Sequence, residues 1–142
     1  MVESKLIEYL SELVAINSVN PNLSDQGQGE KEIAEYIHFH FKKLGFDSHI
    51  FEVAKDRCNT TSFIPGKKSS KALLMNGHID TVGIEDMDSP FILRQDGDRL
   101  YGRGAFDMLA GCAIQMCLAD FFAVNENPIS LVFTFVELLT LL

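Results

Sequence analysis

The chain has 142 residues, of which 46% are hydrophobic and 23% charged. That suits one domain with one core and excludes a disordered polymer. A net charge of −8 and a pI near 4.8 argue against nucleic-acid and anionic-membrane partners, which need clustered Lys and Arg.

Leu6, Ile7, Leu10, Leu13 and Val14 line one face of a helix predicted over residues 2–17. Charges in the first ten residues leave no apolar stretch for a signal peptide. SVNPNLSDQGQGE follows as a polar loop. Ile33, Ala34, Ile37, Phe41 and Leu44 mark a second helix, with Glu30 and Glu32 at its start, Lys42 and Lys43 at its end and Gly45 beyond it. Residues 46–53 read as a strand. Thr60–Ile64 and Ala72–Met75, around the turn PGKKSSK, read as an antiparallel pair. Phe91–Leu93 and Leu100–Tyr101 bracket the hairpin signal Asp96-Gly97. Met108–Val124 reads as a helix buried on nearly all sides; its 17 residues contain Gln115 and Asp120 and fall short of a membrane span. Ile129–Val136 reads as a central strand. Strands alternating with helices predict an α/β fold, with a mostly parallel (mixed) sheet flanked by helices. Cys58, Cys112 and Cys117 form no disulfide framework, so a reduced, cytoplasmic setting is expected.

Three motifs carry chemistry. In NGHIDTVG, His78 follows a predicted strand directly, where α/β sheets place ligands. Asp80 shares its side of an extended backbone and can accept the second ring N–H of His78. The bland alternative is a loop histidine beside a solvated aspartate. In YGRGAFDMLAG, Asp107 stands at the start of a helix, as a cap or a cation ligand. Gly102-x-Gly104 resembles a dinucleotide loop, but Asp107 occupies the place of its third glycine and would repel a pyrophosphate. In LVFTFVELL, Glu137 ends the last strand. His78, Asp107 and Glu137 are 29 and 30 residues apart, about one strand–helix–strand unit each, so they can meet at one sheet edge. An imidazole and two carboxylates suit Zn²⁺, with Co²⁺ or Mn²⁺ also compatible. His38, His40 and His49 are read as non-ligands, Cys112 and Cys117 as core, Phe39 and Phe41 as packing, and Glu85, Asp86 and Asp88 as a solvated turn.

NGHIDTV, YGRGAFDM and the apolar strand ending in Glu together resemble the zinc-dependent amidohydrolases of the acetylornithine deacetylase, succinyl-diaminopimelate desuccinylase, carboxypeptidase G and aminoacylase family. The resemblance implies that His78 binds one of two zincs and Asp107 bridges them. It also implies that Asp80 orients His78 and Glu137 acts as the general base. The substrate class implied is the amide of an N-acyl amino acid or small peptide. The family has a second glutamate after Glu137, a zinc ligand, where this chain has Leu138. It also has a further acidic ligand, a late histidine and a lid or dimerisation domain without counterparts here. Residues 1–142 are therefore expected to be the N-terminal portion of a metallohydrolase catalytic domain, truncated and weakly active or inactive. A non-catalytic fragment or interaction module is the alternative.

Overall fold

A computed structural model describes residues 2–67, 71–85 and 87–137. In chain order they form α1 (Val2–Ala15), α2 (Lys31–Lys43), β1 (Asp47–Ala54), β2 (Arg57–Ile64), β3 (Ala72–His78), β4 (Arg94–Asp96), β5 (Arg99–Tyr101), an irregular turn Ala105–Leu109, α3 (Ala110–Val124) and β6 (Ser130–Val136). Most predicted elements are found with ends displaced by a few residues, but the strand expected at Phe91–Leu93 is instead Arg94–Asp96, directly before the Asp96-Gly97 turn. Residues 68–70 of the PGKKSSK turn, Asp86 of the acidic loop and Leu138 lie outside the described residues.

Helix α2 shows how locally determined these elements are. Ile33, Ala34, Ile37 and Phe41 are buried on one face. Gly45 adopts φ +85, and Gly45 N–H and Phe46 N–H donate to the carbonyls of Lys42 and Phe41. This is a Schellman stop, which favours glycine for its positive φ.

The main sheet has the order β1-β2-β6-β3 and is mixed. Parallel pairing is confined to β3 and β6; β1–β2 and β2–β6 are antiparallel. The expected antiparallel pairing of β2 with β3 is not found, because β6 inserts between them. The β3–α3–β6 crossover returns the chain parallel to β3. Strands β4 and β5 form a separate hairpin turned at Gly97, φ +62.

Leu131, Phe133 and Phe135 of β6 join the core with Leu10, Leu13, Ile33, Ile37, Phe41, Leu109 and Met116. Phe41 packs on Phe133 and Phe135 at ring-centroid distances of 5.2 and 5.9 Å. The continuous apolar run of β6 predicted burial on both faces. Instead, burial alternates along the strand. On the other face, Phe63 and Leu74 flank Val132 in register and are largely exposed. Helix α3 likewise buries one face, with Cys112, Ala113 and Met116, while Ile114, Phe121 and Val124 face solvent. Phe41 is core, but Phe39 is exposed and does not pack as expected.

Candidate active site

Strand β3 ends at His78, which is paired in register with Val136 of β6. Both strands run the same way, so Glu137 lies just beyond the same sheet edge. Gly77 precedes His78 because α3 passes close beneath: a Cβ there would lie 3.0 Å from Gln115 Nε2 and 3.2 Å from Cys112 Sγ. Cys112 Sγ–H donates to the His78 carbonyl at 3.4 Å. Burial raises this thiol's pKa to about 12, so Cys112 is an inert packing group at pH 7.

The His78 ring is held from both sides. Nδ1 lies 3.1 Å from the Asp80 carbonyl and 3.3 Å from Asp80 Oδ1. Nε2 lies 3.0 Å from Asp107 Oδ1. Asp80 is fully buried, and its Oδ2 accepts a hydrogen bond from Asn20 Nδ2 at 3.1 Å. Asn20 is fixed in turn by a loop laid beside Thr81: Thr81 N–H donates to the Ser18 carbonyl and Asn20 N–H to the Thr81 carbonyl. The Asp107 side chain is 80% exposed. Its backbone is non-helical, φ −122 and ψ 98, and its carboxylate meets His78.

This geometry accommodates a cation. A neutral imidazole has one N–H. With that proton on Nδ1 and directed to Asp80, the Nε2 and Asp107 Oδ1 lone pairs face each other at 3.0 Å, a conflict that a shared cation relieves. Two donors on a tetrahedral Zn²⁺ sit about 3.3 Å apart, close to the observed spacing. The pair would supply two protein ligands. Among the described residues, no group of three His, Cys, Asp or Glu side chains converges to hold a metal.

Glu137, at the same sheet edge, meets a different partner. Its Oε2 accepts a hydrogen bond from Arg57 Nη2 at 2.8 Å, and its N–H donates to Asn59 Oδ1 at 2.8 Å. Arg57 Nε pairs with the fully buried Glu30. Burial pushes the Glu30 carboxyl up from its ordinary range, against the opposing pull of Arg57. A cleft of about 490 Å³ opens at His78, lined also by Asp80, Thr81, Arg103, Phe106 and Asp107. Glu137 is not among its lining residues. The structure thus brings His78, Asp80 and Asp107 together and ties Glu137 to a buried arginine.

Sequence reasoning did not single out Asn20, Arg57 or Glu30 for these roles. Asn20 lies in a stretch read as loop, and nothing in its spacing signals contact with a residue 60 positions away. The available signal for Arg57 was a lone cation at the edge of a strand. Of the remaining histidines, His38 meets Ser48, His40 lies near Asp120, and His49 pairs with Asp47 at the surface.

Residues 74–138 match the family described as Peptidase family M20/M25/M40, and the resemblance to this enzyme family holds. A probable succinyl-diaminopimelate desuccinylase of Staphylococcus aureus (strain MRSA252) is 30% identical over 131 residues, covering 89% of this chain and 30% of the relative. An acetylornithine deacetylase of Erwinia tasmaniensis is 29% identical over 105 residues, 72% of this chain and 27% of that protein. The crystal structure of an M20 family metallo-carboxypeptidase, Sso-CP2 from Sulfolobus solfataricus, shares the fold at TM-score 0.78 and 22% identity, over 94% of this chain and 30% of that one. The chain spans about 30% of the length of the first curated relatives it matches.

Proposed function

We propose that this chain carries part of the active site of a metal-dependent hydrolase acting on amide bonds of N-acyl amino acids or small peptides. The observation that carries this reading is the 3.0 Å approach of His78 Nε2 to Asp107 Oδ1 at the cleft, with Nδ1 committed to Asp80. His78 and Asp107 would hold a divalent cation, Zn²⁺ by resemblance and Co²⁺ or Mn²⁺ by donor type. Such a cation supplies a water of lowered pKa and polarises the scissile carbonyl. Asp80 fixes the tautomer and direction of the His78 ring, and Asn20 fixes Asp80. The resemblance gives the role of general base to Glu137, whose carboxylate in this structure is held by Arg57 outside the cleft lining. Names among the relatives, a desuccinylase and a deacetylase, support the acyl-amide substrate class. The three free cysteines support a reducing, cytoplasmic setting.

Catalytic zinc usually has three protein ligands, and this reading offers two, His78 and Asp107. The chain by itself is therefore expected to bind zinc weakly and turn over little. That ligand count favours one alternative, a folded module that keeps the cleft without turnover. Isothermal titration of the chain with Zn²⁺, beside His78→Ala and with an amide-hydrolysis assay, tests the reading. The expected result is a site weaker than micromolar that His78→Ala abolishes. Zinc binding unchanged in His78→Ala contradicts the proposed site. A sub-micromolar site lost in the variant contradicts the expected weakness.

A further inference from the structure

We infer that Arg103 is the specificity-determining group of the cleft, docking a carboxylate of the substrate beside the scissile amide. The inference rests on the hydrolase reading and names the substrate feature this site selects. Arg103 lines the same cleft as His78 and Asp107, and it is the one Lys or Arg among the residues lining it. The other formal charges there belong to Asp80 and Asp107. Arg103 Nε is buried and has no hydrogen-bond partner, and Arg103 makes no ion pair found among the described residues. A guanidinium is always charged, and its planar fork matches a carboxylate. Nε is closed to solvent, so a bound carboxylate would meet the guanidinium at its two Nη groups.

The backbone around Arg103 is pinned. Its N–H donates to the Pro90 carbonyl at 2.7 Å. Gly102 packs against α1, where an added Cβ would lie 2.7 Å from Val14 Cγ1. Gly104 takes φ +76, and an added Cβ would lie 2.6 Å from Thr81 Cγ2 and 2.9 Å from Leu109 Cδ1. The Gly-Arg-Gly sequence therefore serves close packing on both sides of one cation. This gives the Gly102-x-Gly104 pair a physical reason without a nucleotide. An arginine whose backbone is fixed before the ligand arrives loses less freedom on binding.

The carboxylate could come from the amino-acid end of the substrate or from a dicarboxylic acyl group, and two probes separate these. The chain is titrated with N-acetyl-L-alanine, with N-succinyl-L-alaninamide and with neutral N-acetyl-L-alaninamide, while the Arg103 Nε–H resonance is followed by NMR. At least one carboxylate probe is expected to shift that resonance and to bind roughly 10- to 100-fold more tightly than the neutral amide. Arg103→Met is expected to erase the preference and Arg103→Lys to keep part of it. The wild-type resonance answers the question even if the variants fold poorly. Equal binding of charged and neutral probes, a preference that survives in Arg103→Met, or an Arg103 resonance unmoved at the highest probe concentration overturns the inference. A carboxylate preference without zinc binding or hydrolysis contradicts the hydrolase reading alone. Hydrolysis indifferent to the substrate's carboxylates contradicts the role of Arg103 alone.

Discussion

Two charge clusters sit at the carboxyl ends of the neighbouring strands β3 and β6, and they are built in opposite ways. At β6, Arg57 lies between Glu30 and Glu137, with its side chain 4% exposed and that of Glu30 fully buried. At β3, His78 lies between a buried aspartate and one whose side chain is 80% exposed. The first cluster sets one buried guanidinium between two carboxylates, with Glu30 sealed and Glu137 14% exposed. The second brings two acceptors to one imidazole and opens into a cleft. Burial with a matched partner serves stability, whereas an exposed and mismatched pair is available to a ligand.

Substitutions can break this contrast. Arg57→Met strands Glu30 without its counter-charge, so it is expected to destabilise the fold by about 3 to 5 kcal/mol, read as the shift in urea unfolding. A loss below about 1 kcal/mol would show that the triad is not a structural ion cluster. Gly104→Ala forces a side chain into left-handed backbone against Thr81 and Leu109. It is expected to cost roughly 1 to 3 kcal/mol, measured by thermal unfolding with the heat capacity held fixed.

The pH dependence sharpens the picture away from the cleft. Burial lowers the pKa values of His38 and His40, for His40 against the pull of Asp120 at 3.5 Å. Both are thus preferentially neutral in the folded state. Their contribution to stability is fully present above the unfolded value near 6.5 and is lost as pH falls through the folded values. The urea midpoint should fall between pH 7.5 and 5.5, and His40→Gln should flatten that slope. An unchanged slope in the variant would show that His40 is not the group responsible. The smallest effect on stability is expected at the open cluster: Asp107→Asn should change unfolding by less than about 0.5 kcal/mol while removing the response of the chain to Zn²⁺.

Much of this was legible because local rules govern it. The Gly45 stop, the Asp96-Gly97 turn and the one-sided helix α2 follow from φ preferences and a 3.6-residue period. The meeting of His78 with Asp107 followed from motif order and strand-end logic. Pairing order did not, since nothing within β2 or β3 announces that β6 will insert between them. An apolar run such as residues 129–136 looks the same whether one sheet face is covered or both. Arg57 and Asn20 act through partners 80 and 60 residues away, and no local period encodes such contacts. Hence Glu137 could be placed at the correct sheet edge while its arginine partner stayed hidden.

The account's central claim is that His78 and Asp107 offer one cation a shared seat, with Asp80 holding the ring from behind. Long-range ¹H–¹⁵N NMR of the His78 ring during addition of Zn²⁺ tests it most directly. The account predicts a proton retained on Nδ1, a zinc-dependent shift at Nε2, and loss of that shift in Asp107→Asn. Zinc that leaves Nε2 unmoved, or that moves it equally without the Asp107 carboxylate, would contradict it.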